Sequence, residues 1–445
     1  MAYQPPSHPV EVLQKIEIEE GLEPDDPRCV ETQAARGRQK TFNRLAIKLG
    51  LSLSDSRLCA PKQQHVLFFG HRGSGKSTEL RRYARDLHGP GRFFVVRVDI
   101  NDVLDRHNLR YADILMAIAR LLIQHLRDAE VTLSADALHP LESWFAEKVL
   151  THEEIKDFSL LVETSAKAKG GIPYLLEMFG GFTSAFKRNS TYKNSLREII
   201  RNTFGDFVLA FNHLLRDAER ALTAGNLAQR VLFIIDNTDK LSGEDSARLF
   251  IADAEQLLAI EALVVWAAPI NMKYETTFAG KLDADLVLPM IKLYEKDGAI
   301  WSAGWEALRD ILLRRAAPSL FLSDAEVERL IDHCGGHPRE LLRLLKLCCE
   351  FAEGSYFDAN TVDLAIKQLA SEYRRFLKPE DYTLLAKIDG DDIHAGNDER
   401  TKILLYNLAL LEYNDGSWRR SHPVVRTLEG YQRARSILQS AAAGS

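Results

Sequence analysis

A glycine-rich stretch between an apolar run and a helical pattern constrains this chain more than any other feature. Residues 70–77 read GHRGSGKS and fit the pattern G-x-x-x-x-G-K-[ST] at every fixed position. Residues 65–69, HVLFF, are typical of a short buried strand, and residues 78–87 have the apolar spacing of a helix. The stretch therefore predicts a phosphate-binding loop, and the alternative is an ordinary glycine-rich turn between strand and helix.

The residue types in this loop suit the recognition of a nucleoside triphosphate. Glycines let the backbone curl so that successive N–H groups point inward, and the start of the helix adds a partial positive charge. Lys76 is predicted to reach the β- and γ-phosphates, and Ser77 to ligate Mg²⁺. The predicted nucleotide-binding residues of the loop are Gly70, His71, Arg72, Gly73, Ser74, Gly75, Lys76, Ser77 and Thr78.

The composition is that of a globular chain without a large excess of charge. Of the 445 residues, 46% are hydrophobic and 27% are charged, and the formal net charge is −6. The overall charge therefore gives no reason to expect nucleic acid or an anionic membrane as a partner. The five cysteines lack metal-binding spacing and are interpreted as reduced thiols. No run is long and apolar enough for a bilayer, and residues 1–21 do not resemble a signal peptide, so the sequence predicts a cytoplasmic protein without membrane contact.

Apolar runs recur after the loop and alternate with helical patterns. The predicted strands after the first lie within residues 92–100, 230–236, 261–270 and 284–293. Such alternation favours an α/β fold of the P-loop NTPase type, with a mostly parallel sheet between helices.

Changes in pattern divide the chain into four predicted regions. They are a partly helical N-terminal segment (1–60), a nucleotide-binding domain (61–300) with a long helical insertion at about 103–229, an all-helical lid (301–376) and a winged-helix-like domain (377–445).

Two glycine pairs, at 170–171 and 180–181, interrupt the helical pattern of the insertion and predict a hairpin or loop there. The preferred interpretation is that the apolar side chains of this stretch pack on the protein body. The alternative is a contact with a partner or membrane, because basic residues follow. The apolar residues are Ile172, Leu175, Leu176 and Phe179, and the basic ones are Lys187, Arg188 and Lys193.

A later run supplies acidic residues where a bound nucleotide needs them. Residues 231–235 fit a central strand, and Asp236 follows at its carboxyl end, where parallel sheets bind ligands. Asp236 is predicted to hold Mg²⁺ together with Ser77, and the alternative is a carboxylate that caps the next helix. The next residue, Asn237, carries a neutral amide, which can orient water but cannot accept its proton.

The loop together with the stretch DNTD at 236–239 resembles bacterial P-loop ATPases of the AAA+/STAND superclass, including their KAP relatives. Most AAA+ ATPases have a glutamate where this chain has Asn237, and the D-x-x-D arrangement is more similar to the STAND type. The resemblance implies ATP and Mg²⁺ as cofactors, catalytic roles for Lys76 and Asp236, a water-positioning role for Asp239, and slow hydrolysis.

The stretch GGHPR at 335–339 opens an amphipathic helix and resembles the G-x-P motif in the helical domain of STAND ATPases. The resemblance implies that His337, Pro338 and Arg339 face the nucleotide. The alternative is that the glycines end one helix, Pro338 starts the next, and Arg339 is solvated.

Three further polar residues are candidates. Asn271 follows the fourth strand of the predicted sheet, in the position of a sensor. Arg314 and Arg315 are candidates for an arginine finger towards a neighbouring subunit, and the alternative is surface charge on a helix.

The C-terminal region predicts a helix over 401–411 and then a hairpin, with strands at 411–413 and 417–420 around the turn NDG. Two helices and a hairpin describe a winged helix, a fold that often binds DNA. Arg419, Arg420 and Arg426 lie near the hairpin and would suit phosphates. The predicted recognition helix is mostly apolar, which favours a contact within the protein or with another protein.

Proteins that this chain resembles are often signalling switches, and many bacterial relatives act against phage. The resemblance therefore implies a regulatory ATPase that self-associates and works through a separate effector chain. Two alternatives stay open. One is a DNA-binding initiator or transposition-helper ATPase, and the other is a nucleotide-locked scaffold without hydrolysis, which Asn237 supports.

Overall fold

A computed structural model describes residues 3–38, 40–103, 109–149, 171–188, 190–241, 243–275 and 284–443 of the chain. Its central feature is a five-stranded sheet in the order β2-β3-β4-β1-β5, in which every pair is parallel. The strands are β1 (Gln64–Gly70), β2 (Phe93–Asp99), β3 (Arg230–Asp236), β4 (Leu263–Pro269) and β5 (Ala284–Val287). The predicted α/β fold is confirmed.

The sheet is buried on both faces, which explains why its strands read as continuous apolar runs. Along β1, Val66 and Phe68 belong to the core on one face, and Leu67 and Phe69 belong to the core on the other. Because all five strands are parallel, their carboxyl ends lie at the same edge of the sheet.

Helices cover both faces of the sheet. Those before the lid are α1 (Pro9–Lys15), α2 (Thr41–Lys48), α3 (Lys76–Leu87), α4 (Ile100–Val103), α5 (Tyr111–Asp128), α6 (Ala135–Trp144), α7 (Gly171–Arg188), α8 (Ser190–Asn202), α9 (Phe204–Ala224), α10 (Gly243–Ala247) and α11 (Ala254–Leu258). Helices α2 and α3 pack on one face, while α5 and α9 pack on the other.

The predicted break at the second glycine pair of the insertion is wrong, because Gly180 and Gly181 lie inside the continuous helix α7. A glycine costs a helix about 1 kcal/mol relative to alanine, and burial of neighbouring side chains offsets this cost. Leu175 and Phe179 are fully buried, with the ring of Phe179 4.9 Å from that of Phe145. The apolar stretch therefore packs on the protein body, as the preferred interpretation predicted. The first glycine pair begins at residue 170, which lies outside the described residues.

Four helices follow the sheet and are called the lid helices: α12 (Ser302–Leu313), α13 (Asp324–Cys334), α14 (Pro338–Phe351) and α15 (Ala359–Arg374). Helix α13 ends at Cys334, and its C-cap Gly335 has a φ of 62°, in the left-handed region. Gly336 follows with φ 81°. Pro338 then occupies the first turn of α14, with His337 as its N-cap.

Residues 377–443, called the C-terminal segment, contain α16 (Pro379–Gly390), α17 (Glu399–Tyr406), β6 (Leu410–Tyr413), β7 (Trp418–Ser421), α18 (Pro423–Arg426) and α19 (Glu429–Ala443). The predicted hairpin is confirmed, with β6 and β7 antiparallel. Helix α17 is shorter than predicted, because Leu408 adopts a φ of 63° and the chain then enters β6. The proposed region boundaries stay a prediction. Within the described part of the chain, every helix is too short or too polar to cross a bilayer.

Candidate functional site

The glycine-rich loop lies between β1 and α3, as the sequence predicted. Gly73 and Gly75 have φ values of 84° and 96°, a conformation that favours glycine. A Cβ on Gly73 would lie 2.5 Å from Nε of Arg339, and one on Gly70 would lie 3.1 Å from Cδ of Lys76. These glycines therefore allow both the curl of the loop and the close approach of side chains to it.

Lys76 begins α3 and is buried beneath the loop. Its Nζ donates to the carbonyl oxygens of Gly70 (2.9 Å) and His71 (2.8 Å) and lies 2.8 Å from Oδ2 of Asp239. Burial lowers the pKa of Lys76, and the carboxylate of Asp239 partly offsets this effect. The ammonium group of Lys76 is thus held by the carboxylate of Asp239 and by two carbonyl oxygens of the loop.

Ser77 and Asp236 meet at the sheet edge, although 159 positions separate them in the chain. Oγ of Ser77 donates to Oδ1 of Asp236 over 3.1 Å, and the backbone N–H of Asn237 donates to the same oxygen over 2.7 Å. Burial, and then the charge of Asp239, raise the pKa of Asp236 from 3.8 to about 6.

The oxygen atoms of Ser77 and Asp236 fit a magnesium ion. A hydroxyl and a carboxylate in contact are the hard ligands that this ion takes, and it usually keeps several waters and substrate phosphates as its other ligands. The described residues contain no group of three or more His, Cys, Asp and Glu side chains arranged for a metal. A magnesium ion held by Ser77 and Asp236 would therefore take its other ligands from water or substrate phosphates.

Asp239 lies in the short 3₁₀ turn after β3 and is buried against Lys76. Burial alone would raise the pKa of Asp239, but the charge and hydrogen bond of Lys76 outweigh it and lower the pKa. Asp239 is therefore a charged partner of Lys76, and the water-positioning role inferred for it stays a prediction.

Asn237 adopts a left-handed conformation with φ 66° directly after the strand. Its Nδ2 donates to Oδ1 of Asp99 over 2.6 Å. Asp99 is the last residue of β2 and is the register partner of Asp236 in the neighbouring strand. No sequence motif marks Asp99, although its position at a strand end was a usable signal.

The lid contacts the loop through the predicted motif. His337 is fully buried, and its Nδ1 accepts from the backbone N–H of Glu340, so its Nε2 carries the proton and donates to the carbonyl oxygen of Arg72 over 3.0 Å. Burial lowers the pKa of His337 well below its ordinary value, which keeps the ring neutral. The alternative interpretation is right that the glycines end α13 and that Pro338 starts α14. It is wrong that Arg339 is solvated, because this side chain is largely buried beside Gly73.

The N-terminal segment forms a further wall that the sequence did not predict. The backbone N–H of Leu22 donates to Oγ1 of Thr78 over 3.1 Å, and a Cβ on Gly21 would lie 2.8 Å from Cβ of Ser77. Glu19 extends over the loop, with Oε2 2.7 Å from Nη2 of Arg339.

Arg36 is buried and contacts the loop through its guanidinium group. Its guanidinium donates to the carbonyl oxygens of Ser74 (2.8 Å) and Pro289 (2.6 Å) and lies 3.9 Å from Glu79. No sequence motif marks this residue, because its role depends on how a distant segment docks.

A cavity lies beside the loop, between the N-terminal segment and the lid helices. Its walls combine the loop residues and Asp239 with apolar side chains of both flanking parts. The apolar residues are Ile18, Leu22, Val30, Ile311, Pro338 and Leu342.

The C-terminal segment contacts the loop as well. Nε2 of His71 accepts from the backbone N–H of Glu412 in β6 over 2.9 Å. Burial, and next the charge of Lys76, lower the pKa of His71 from 6.5 to about 3, so the ring stays neutral. The buried carboxylate of Glu412 pairs with Nε of Arg419 (3.0 Å) and accepts from the hydroxyl of Tyr274.

The three arginines near the hairpin have partners within the protein. Besides Glu412, Arg419 donates to the carbonyl oxygen of Gly396 over 2.8 Å. Arg420 donates to the carbonyl oxygen of Lys296 over 2.7 Å, and Nε of Arg426 lies 3.1 Å from Oδ2 of Asp389.

Arg315 lines the cavity beside the loop, and both Arg314 and Arg315 have hydrogen-bond partners within the chain. Arg314 donates to the carbonyl oxygen of Cys29 (2.6 Å), and Arg315 donates to that of Ile311 (2.9 Å). Asn271 lies in a 3₁₀ turn after β4, and its buried Oδ1 has no hydrogen-bond partner in the part of the chain that is described.

No protein-family model matches the chain, and no curated protein matches it. Solved structures with partial similarity include a Walker-type ATPase of Pyrococcus abyssi, at 12% identity and a TM-score of 0.39, covering 92% of this chain and 99% of that one. A variant of RuvB from Thermotoga maritima is also similar, at 12% identity and a TM-score of 0.32, covering 89% of this chain and 98% of that one. Cdc6p from Pyrobaculum aerophilum is similar at 12% identity and a TM-score of 0.38, covering 93% of this chain and 97% of that one. At these TM-scores, the fold is defined by the strand order described above and not by the similarity.

Proposed function

We propose that this protein binds ATP with Mg²⁺ and hydrolyses the bond between the β- and γ-phosphates at the loop. The observation that carries the proposal is the contact between Ser77 and Asp236 beside the buried Lys76. A glycine-rich turn without a ligand has no need of a hydroxyl, a cation and a strand-end carboxylate at one place. Phosphate binding at the start of a helix uses all three.

Each residue has a role in this proposal. The loop N–H groups and Lys76 bind the phosphates, while Ser77 and Asp236 hold Mg²⁺, which when bound neutralises charge on the phosphate oxygens. The phosphates replace Asp239 as the partner of Lys76. Asp239 stays the candidate that the family resemblance gives for positioning water, and its substitution is included in the test below.

The apolar cavity beside Thr78 is proposed to hold the base. The preference for ATP over GTP comes from the resemblance to AAA+/STAND ATPases. His337, Pro338 and Arg339 are proposed to contact the nucleotide from the lid, because this motif already touches Arg72 and Gly73 of the loop.

We further propose that the ATPase is a regulatory switch. The lid contacts Arg72 through His337, and the C-terminal segment contacts His71 through Glu412, so any movement of the loop reaches both parts. The resemblance supports finer proposals about this switch. They are self-association, a separate effector chain, a cytoplasmic location, a winged-helix fold of the C-terminal segment and a role in anti-phage defence.

The DNA-binding alternative receives little support from the hairpin arginines, because Arg419 is buried and Arg420 and Arg426 already have partners. The non-hydrolysing scaffold and the regulatory switch differ in one measurable property, which is ATP turnover by the wild type.

The test compares steady-state ATP hydrolysis and Mg-ATP binding by the wild type, Lys76→Ala, Asp236→Asn and Asp239→Asn. Lys62→Ala, at an exposed lysine, is the matched control. We expect Lys76→Ala to lose binding and turnover, and Asp236→Asn to lose the effect of Mg²⁺. Binding that depends on Lys76 without turnover would identify a scaffold. Turnover stimulated by duplex DNA would favour the initiator.

A further inference from the structure

Three of the cationic side chains that line the cavity beside the loop are paired with carboxylates from its walls. They are Lys76, Lys240 and Arg339. The partner of Lys76 is Asp239, whereas the other two cations share Glu19 of the N-terminal segment. Oε2 of Glu19 lies 2.7 Å from Nη2 of Arg339 and 3.5 Å from Nζ of Lys240. One carboxylate oxygen thus contacts two cations from different parts of the chain.

The chemistry of this contact is that of an anion site. A guanidinium and an ammonium group that converge on one oxygen suit a terminal phosphate as well as a carboxylate, and the phosphate carries the larger charge. The side chains of Arg339 and Lys240 are only 11% and 12% exposed, whereas that of Glu19 is 54% exposed. The cations are therefore held by the protein, and the carboxylate is the partner that can move into water.

The contact lies at the loop that is proposed to bind phosphates. The guanidinium of Arg339 packs against the loop, where a Cβ on Gly73 would lie 2.5 Å from its Nε. Lys240 ends the 3₁₀ turn that also carries Asp239, the partner of Lys76. We therefore expect the last phosphate of a bound triphosphate to compete with Glu19, whereas a diphosphate lacks the group that would do so.

The backbone beside Glu19 is tied to the first part of α3. The N–H of Leu22 donates to Oγ1 of Thr78 over 3.1 Å, and the carbonyl oxygen of Gly21 accepts from the guanidinium of Arg81. A Glu19 side chain that leaves its cations therefore loosens a segment with few other attachments to the loop. Exchange of the backbone amides of this segment reports such a change.

We infer that Glu19 occupies the place of the γ-phosphate between Arg339 and Lys240, so that ATP displaces it and ADP does not. The inference rests on the proposed ATPase function and deepens its regulation. Glu19 is a specificity-determining residue, because its ion pairs are lost only when the nucleotide carries a γ-phosphate. It weakens the binding of ATP relative to ADP and keeps the N-terminal segment in place while ADP is bound.

The decisive variant is Glu19→Gln, which preserves the size of the side chain and removes its charge. Calorimetry with Mg²⁺ present measures the affinities for a non-hydrolysable ATP analogue and for ADP. We expect the variant to bind the analogue about threefold to tenfold more tightly than the wild type, because no ion pair has to be broken. The affinity for ADP should stay the same. Glu17→Gln removes an exposed carboxylate of the same segment and is the control.

Two further measurements separate displacement of Glu19 from a general effect of charge. In an Arg339→Ala background, Glu19→Gln should lose most of its effect on the affinity for the analogue, because the main ion pair is already absent. In the wild type, hydrogen exchange of the backbone amides in residues 16–22 should be faster with the analogue than with ADP.

Equal gains in affinity for the analogue and for ADP, or no gain for either, would overturn the inference and leave the ATPase proposal intact. Equal hydrogen exchange with the two nucleotides, or an undiminished effect of Glu19→Gln in the Arg339→Ala background, would overturn it too. A wild type that binds neither nucleotide would contradict the proposed function, and the role of Glu19 would fail with it.

Discussion

The backbone N–H of Glu412 donates a 2.9 Å hydrogen bond to Nε2 of His71, the second residue of the phosphate-binding loop. The two residues are 341 positions apart, and both are buried. The loop is thus anchored from the C-terminal segment through a side chain that its sequence pattern leaves unspecified.

His71→Ala should therefore weaken the hold of the C-terminal segment on the loop. The N–H of Glu412 would remain buried without a partner, so we expect the free energy of unfolding to fall by about 1–3 kcal/mol. Chemical denaturation measures this change, and faster proteolysis between the lid helices and the C-terminal segment should accompany it. His394→Ala, at an exposed histidine, is the control. Equal stability of both variants would mean that the contact contributes nothing.

The ion pair between Lys76 and Asp239 makes a second prediction. Lys76→Met leaves Asp239 buried without its cation, and breaking a buried pair in this way costs about 3–5 kcal/mol. Adding Asp239→Asn should recover most of the lost free energy of unfolding without recovering ATP binding. Denaturation in the absence of nucleotide, with Lys62→Met as control, tests both statements. A double variant no more stable than Lys76→Met would contradict them.

Asp236 makes stability depend on pH. Its pKa is about 6 in the folded protein against an ordinary 3.8, so folding favours the protonated form. The unfolded chain releases this proton at lower pH, and the resulting penalty grows between about pH 4 and pH 6 and is fully present above pH 6. About two pKa units correspond to about 2–3 kcal/mol.

Asp236→Asn should accordingly be more stable than the wild type at pH 8 without Mg²⁺, and the difference should vanish near pH 4. Unfolding curves over this pH range provide the measurement. Asp86→Asn, at a partly exposed aspartate of α3, is the control variant. A variant that is less stable at pH 8 would show that the carboxylate is favourable where it lies.

The parts of the site that are formed by neighbouring residues could be predicted from the sequence, whereas the contacts made by distant segments could not. The glycine pattern fixes the loop because strand, turn and helix are neighbours in the chain, and Asp236 follows from the end of an apolar run. Arg36 and Glu412 reach the loop, and Asp99 reaches Asn237, only through the order of strands and the docking of distant segments. The helix break predicted at Gly180 is wrong, because tertiary burial of Phe179 outweighs the low helix propensity of glycine.

Arg419 should behave as a structural residue. Its pair with Glu412 is buried, so we expect Arg419→Ala to lower the free energy of unfolding by about 3–5 kcal/mol. Binding to duplex DNA at low salt should be equally weak for the wild type and the variant. Arg433→Ala removes an exposed arginine of α19 and should change the unfolding free energy by less than about 0.5 kcal/mol. Salt-sensitive DNA binding lost only in Arg419→Ala would reverse this view.

The wall formed by the N-terminal segment has a consequence for biosynthesis. Arg36 reaches the carbonyl oxygen of Pro289, 253 positions later, and Glu19 reaches Arg339, 320 positions later. A nascent chain that has exposed only the loop and the first strands lacks both contacts. Tight nucleotide retention should therefore begin only after α14 has left the ribosome, because Arg339 lies in this helix.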